Sequence, residues 1–105
     1  MEVFEYQTSS GRRPCLDWLR ELKDLRAAAV IRGRIKRLRQ GHLGDYRSVG
    51  GGVWELRIFI GQGYRLYFIF DGKSLIIVLS GGDKHSQFRD IQKAKEFAAD
   101  YWRRK

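Results

Sequence analysis

Cysteine, proline and methionine each occur once in these 105 residues, and histidine only twice. The lone Cys15 excludes an internal disulfide framework and any multi-cysteine zinc site. His42 and His85 lie far apart, without paired His/Asp spacing, so no metal site is expected. No apolar run reaches the length of a membrane span, and no charged, then apolar, then small-residue leader opens the chain. The expectation is a cytoplasmic domain. Acidic residues are also scarce. Twelve Asp and Glu stand against 21 Lys and Arg, giving a net charge of +9 and a pI near 10.1. Such a field favours an anionic partner, nucleic acid before acidic protein or membrane surface. Basic charge can also serve solubility alone.

What is present suffices for a core. The chain is 43% hydrophobic and 13% aromatic, and its length fits one domain over residues 1–105. "MEVFEYQ" alternates as a short strand. In "TSSGRRP", Ser9 or Ser10 can cap a helix and Pro14 suits its first turn. "CLDWLREL" aligns Leu16, Leu19 and Leu22, with Trp18 nearby. Asp24 can cap a second helix that Gly41 ends, with Ala28, Ile31, Ile35 and Leu38 as its apolar stripe. Its other faces carry Arg26, Arg32, Arg34, Lys36, Arg37 and Arg39 with no acidic residue among them. Solvated faces usually mix signs, so Arg34 and Arg37 are candidate substrate-binding residues.

"GHLGDYRSVGGG" lacks the lysine and hydroxyl of a phosphate-cradling loop and reads as a connector; its Arg47 is a further substrate-binding candidate. Strands are predicted over 53–60, 64–70 and 74–80. Gly61-Gln62-Gly63 forms a three-residue turn, and Asp71-Gly72 a two-residue hairpin. "LIIVL" does not alternate, so it reads as a central strand covered on both faces. A last helix starts near Ser86, with Ile91, Ala94, Ala98 and Tyr101 inward. The predicted class is α+β: a strand, two helices, a three-stranded antiparallel meander and a C-terminal helix, the helices on one sheet face.

Strand parity gathers the charges. Glu55, Arg57 and Phe59 share a face, and Arg65, Tyr67 and Ile69 share one on the next strand. The three-residue turn would pair Phe59 with Arg65 and Arg57 with Tyr67. A slip of two residues keeps the same groups together. The Asp-Gly turn would add Ile76, Val78 and Ser80 to this face and send Leu75, Ile77 and Leu79 to the core. The cluster then lies on the face the helices do not need. Exposed cross-strand ion pairs would look similar and contribute under ~1 kcal/mol each. Two arginines, a carboxylate and a tyrosine also supply a proton acceptor and forks for a phosphate. "SGGDKHSQ" follows, where Gly81-Gly82 would turn the backbone sharply and deliver Lys84 and His85, a candidate acid or base.

"WELRI", "GQGYRLYF" and "LSGGDKHSQFRDIQKAKEF" resemble the RelE/ParE superfamily of type II toxin–antitoxin toxins, and most closely its HigB-like branch of addiction-module killer proteins. The resemblance spans nearly the whole chain. It implies a cofactor-free toxin that cuts messenger RNA on the ribosome. A cognate helix-turn-helix antitoxin would silence it, and operator DNA would be met only through their complex. The substrate's 2′-hydroxyl would attack, which selects RNA over DNA. By the same resemblance Arg65 would stabilise the phosphate, with Arg57 and Lys84 as further cations. Glu55 would be the general base and His85 a candidate acid, while Tyr67 would orient the phosphate or stack on a base. Glu55→Gln should then slow cleavage without unfolding the domain. Many RNA-cutting relatives carry a tyrosine where this chain has Gln87-Phe88-Arg89-Asp90. Phe88 can stack but not transfer a proton, leaving that to His85 or Lys84. The alternatives are a non-nucleolytic gyrase inhibitor of the same fold and a basic RNA- or ribosome-binding module without activity.

Overall fold

A computed structural model describes all 105 residues. Five strands form one sheet in the order β1-β5-β4-β3-β2, with β1 (Glu2–Glu5), β2 (Tyr46–Gly50), β3 (Val53–Ile58), β4 (Tyr64–Phe70) and β5 (Leu75–Asp83). β1 runs parallel to β5, and all other pairs are antiparallel. The helices are α1 (Pro14–Glu21), α2 (Leu25–Arg39) and α3 (Gln87–Arg104). The α+β class and the predicted element order hold, with one added strand.

Local signals account for the helix starts. Pro14 opens α1, although neither Ser9 nor Ser10 caps it; the capping position is Arg13, without a side-chain bond. Asp24 caps α2 as expected, its Oδ1 accepting from the Ala27 amide at 3.0 Å. The added strand β2 lies inside the predicted connector. Its edge position and mostly exposed side chains leave little hydrophobic periodicity to betray it. The turn to β3 needs glycine, since Gly50, Gly51 and Gly52 all have positive φ.

The helices do not share one sheet face. α1 and α2 cover Leu56, Ile58, Leu66, Phe68, Ile76 and Val78, while α3 lays Ala94 and Ala98 over Val53, Tyr67, Ile69, Ile77 and Leu79. The reason lies in β5, whose unbroken apolar run has two faces to bury and requires cover on both. Its register also differs from expectation. Phe70 pairs with Ile76, so the connection runs from Asp71 to Leu75 in place of a two-residue turn. That odd-numbered change reverses the faces, putting Ile76 and Val78 under α1 and α2, and Ile77 and Leu79 under α3. A bulge follows, since Tyr67 pairs with Ser80 and Phe68 with Val78, leaving Leu79 as the extra residue. Ser80 is thereby opposite Tyr67, on the expected face.

Gly81 and Gly82 do not turn the chain. They continue β5 with ordinary φ and permit close approach instead. A Cβ on Gly81 would lie 2.2 Å from the Trp18 ring, and one on Gly82 1.8 Å from the Asp90 carboxylate. The glycine pair lets α1 and the start of α3 sit directly against the two sides of β5.

Candidate active site

Glu55 stands at the centre of the charged face and is fully buried beneath the start of α3. Its partners come from four elements. Arg47 of β2 reaches Oε1 with Nε at 3.1 Å. The Tyr67 hydroxyl of β4 donates to Oε2 at 3.1 Å, and the Gln87 amide of α3 donates to the same oxygen at 2.9 Å. Arg57 Nε lies 4.0 Å from Oε1 and Arg65 Nε 3.6 Å from Oε2, close enough for charge attraction but not hydrogen bonded. The expectation of a carboxylate on a helix-free face therefore does not hold. α3 covers it, because the same face carries the apolar positions of β4 and β5 that also need burial.

The pairing of β3 with β4 sharpens the cluster. The connecting loop is Phe59–Gly63, longer than the predicted turn, so Glu55 opposes Tyr67 and Arg57 directly opposes Arg65. Like charges at directly opposed positions are unfavourable. One carboxylate among three guanidinium groups offsets only part of that repulsion. Both Arg57 Nε and Arg65 Nε are buried without a hydrogen-bond partner. Their side chains nevertheless remain 33% and 17% exposed, against 52% for Arg47. The guanidinium ends face a cleft of ≈ 390 Å³ walled by the β3–β4 loop and by Lys84. Burial, with the Glu55 charge next, raises the Tyr67 hydroxyl well above its ordinary pKa and keeps its proton on the bond to Glu55.

The arrangement can bind an oxyanion with forked and point-charge donors, on a floor that Glu55 holds in place. Glu55, Arg47, Arg57, Arg65 and Tyr67 come together as one network, with Lys84 across the cleft. His85 is exposed one position past Lys84, and its amide donates to Asp83 Oδ1 at 2.8 Å. Phe88, 80% exposed, follows Gln87 on α3. Neither is among the cleft-lining side chains. Arg34 and Arg37 are not brought to the cleft either. Arg34 braces α2 against β3, donating to the carbonyls of Arg57 and Leu43 at 3.5 Å each, while Arg37 is exposed on α2. Cys15 is buried packing, its thiol pushed up to about 12 by desolvation.

Gln87 is the network member that residue chemistry alone did not single out, although it stands inside the "GGDKHSQFRDI" run. Phe59 and Gln62, both in the cleft wall, were visible only as a strand residue and a turn residue. No group of three or more His, Cys, Asp or Glu side chains comes together that could hold a metal ion.

The family model described as "Phage derived protein Gp49-like" matches residues 17–101. An uncharacterized protein of Haemophilus influenzae is 52% identical over 83 residues, covering 79% of this chain and 84% of its own.

Proposed function

The chain belongs to the phage-derived Gp49-like family, a toxin–antitoxin toxin family related to the RelE and HigB types, and from that membership we propose that it is an endoribonuclease toxin of the HigB-like kind, cleaving messenger RNA on the ribosome in the cytoplasm. The family implies an antitoxin partner. We assign that partner as a helix-turn-helix protein, through which alone the pair meets operator DNA.

One observation carries this reading. Arg57 and Arg65 face each other across adjacent strands, with unpartnered Nε atoms, at a cleft shared with Lys84. Unsatisfied buried donors and opposed cations are costly on their own and become favourable once a phosphate is bound. In-line attack by the 2′-hydroxyl builds charge on the phosphorane oxygens. The two guanidinium groups and the Lys84 ammonium stabilise that charge, and 2′,3′-cyclic phosphate and 5′-hydroxyl ends result. The 2′-hydroxyl proton leaves to solvent water in the open cleft, and His85, exposed one position past Lys84, donates a proton to the departing 5′ oxygen. Glu55 is assigned a positioning role instead of that of a general base. Both its oxygens are engaged and it has no exposed surface.

The test is induction of the chain in cells with mapping of transcript 5′ ends. Cuts inside open reading frames that disappear with Arg65→Ala are expected. Growth arrest with intact transcripts would overturn the nuclease assignment, and altered DNA supercoiling in those cells would point to gyrase.

A further inference from the structure

Phe59 is 74% exposed just past the end of β3, in the wall of the cation cleft. It is the first residue of the β3–β4 loop, outside the sheet and in neither apolar cluster, so no core packing explains a phenylalanine there. It follows Arg57 by two positions, with only Ile58 between them, a span of about 6.6 Å in extended chain, comparable with the distance from a nucleotide's phosphate to its base. Beside it, Gln62 makes only two contacts, to the Tyr64 hydroxyl and to Asp83, both 3.5 Å long and at the limit of hydrogen bonding. Its amide is free to swing toward a ligand, and it stands between glycines with positive φ.

We propose that the β3–β4 loop forms a nucleobase subsite, in which Phe59 stacks on an unpaired base while Arg57, Arg65 and Lys84 hold that nucleotide's phosphate and Gln62 hydrogen-bonds the base edge. This deepens the nucleic-acid reading of the cleft and rests on it. The occupant follows from continuity. An apolar ring against a cationic slot matches a single-stranded nucleotide, which presents a π-face one step from a negative charge. A base paired in a duplex keeps its faces stacked on its neighbours and cannot lie on Phe59. The subsite therefore selects single strands.

The probe is a fluorescein-labelled single-stranded 2′-O-methyl RNA octamer, which lacks the attacking hydroxyl, compared with a fully abasic strand of equal length and charge. Binding is read by anisotropy at fixed salt. Wild type should prefer the base-bearing strand. Phe59→Ala should lose about tenfold on that strand and nothing on the abasic one. Phe59→Trp should bind at least as well as wild type, and Phe59→Leu should behave as Phe59→Ala. The subsite is overturned if Phe59→Ala binds the octamer as wild type does, and equally if it weakens both strands alike. Loss of antitoxin capture by Phe59→Ala with octamer binding unchanged would assign the ring to a protein interface and overturn it too. If wild type binds neither strand, the nucleic-acid reading fails together with the subsite.

Discussion

Glu55 is a carboxylate whose surroundings decide its role. Three arginines approach it, but all three side chains keep some exposure, so removing the charge costs less than breaking a fully buried pair. Glu55→Gln is expected to lower stability by about 1–3 kcal/mol, seen as a lower urea midpoint at unchanged slope. Slower cleavage without unfolding of the domain, as expected from the sequence, is compatible with a loss of that size. A midpoint within error of wild type would show that the Glu55 charge adds nothing to stability. Cys15 offers a second test at this scale. Its thiol is buried and shifted up to about 12, leaving almost no thiolate at pH 8. Labelling of the native protein by an aromatic disulfide should run at least about a hundredfold slower than that of a free thiol and speed up sharply in urea. Rapid native labelling would contradict the packing.

α3 is the element that makes the site. Its first residue, Gln87, holds Glu55, and its next turn brings Asp90 against Gly82. Gly82→Ala would force Asp90 aside, loosening the α3 start and with it the Gln87–Glu55 bond. A loss of about 1–3 kcal/mol is expected, together with loss of cleavage by the protein that remains folded. The other end of α3 is fastened by polar clamps. The Tyr6 hydroxyl donates to Asp100 at 2.5 Å, with Arg103 and Arg104 adding ion pairs, and Asp71 receives Tyr101 at 2.5 Å and Lys105. The Tyr6 hydrogen bond, then the arginines, lowers the Asp100 pKa, and Lys105 followed by Tyr101 lowers that of Asp71. A depressed carboxylate pKa stabilises above the unfolded value, near ~3.9. The contribution disappears as pH falls through the folded value. Burial, with the Asp71 bond next, raises Tyr101 to about 12. That contribution is complete below the unfolded pKa of about 10 and fades as pH climbs toward 12. The Asp71→Asn, Asp100→Asn double variant should flatten the acid limb of the stability–pH curve. A curve parallel to wild type would show that the clamps add nothing.

At the scale of the whole molecule, the +9 charge is spread over many elements, and the cleft and α2 carry two of its basic groups. The cleft is walled by the β3–β4 loop and Lys84, whereas the exposed basic residues Arg32, Lys36 and Arg37 ride on α2 and none of them lines it. Under the proposed function, Arg37 and its exposed neighbours would meet a large anionic partner, while Arg57 and Arg65 would hold the phosphate. Reversing Arg32, Lys36 and Arg37 to Glu should weaken binding to long RNA or ribosomes and reduce its salt dependence. Cleavage of a short oligonucleotide should stay within about twofold, since Arg32, Lys36 and Arg37 are exposed and none of them lines the cleft. An equal loss on both substrates would place α2 in the active surface.

Much was legible without coordinates because two periodicities carry it. Period 2 grouped Glu55, Arg57, Arg65 and Tyr67 regardless of small register errors, and the 3.6-residue repeat placed Ala28, Ile31 and Leu38 inward on α2. Capping chemistry located the α2 start at Asp24. Tertiary structure alone decided the rest. A five-residue β4–β5 connection in place of a two-residue one reversed the faces of Ile76 to Leu79, a choice local turn chemistry did not constrain. β2 is held as an edge strand by pairing with β3, not by apolar periodicity of its own. The side of the sheet taken by α3 depended on which apolar face was still uncovered after α1 and α2 packed. That one choice buried Glu55, because a carboxylate among arginines on a sheet face is exposed or enclosed according to what lies over it.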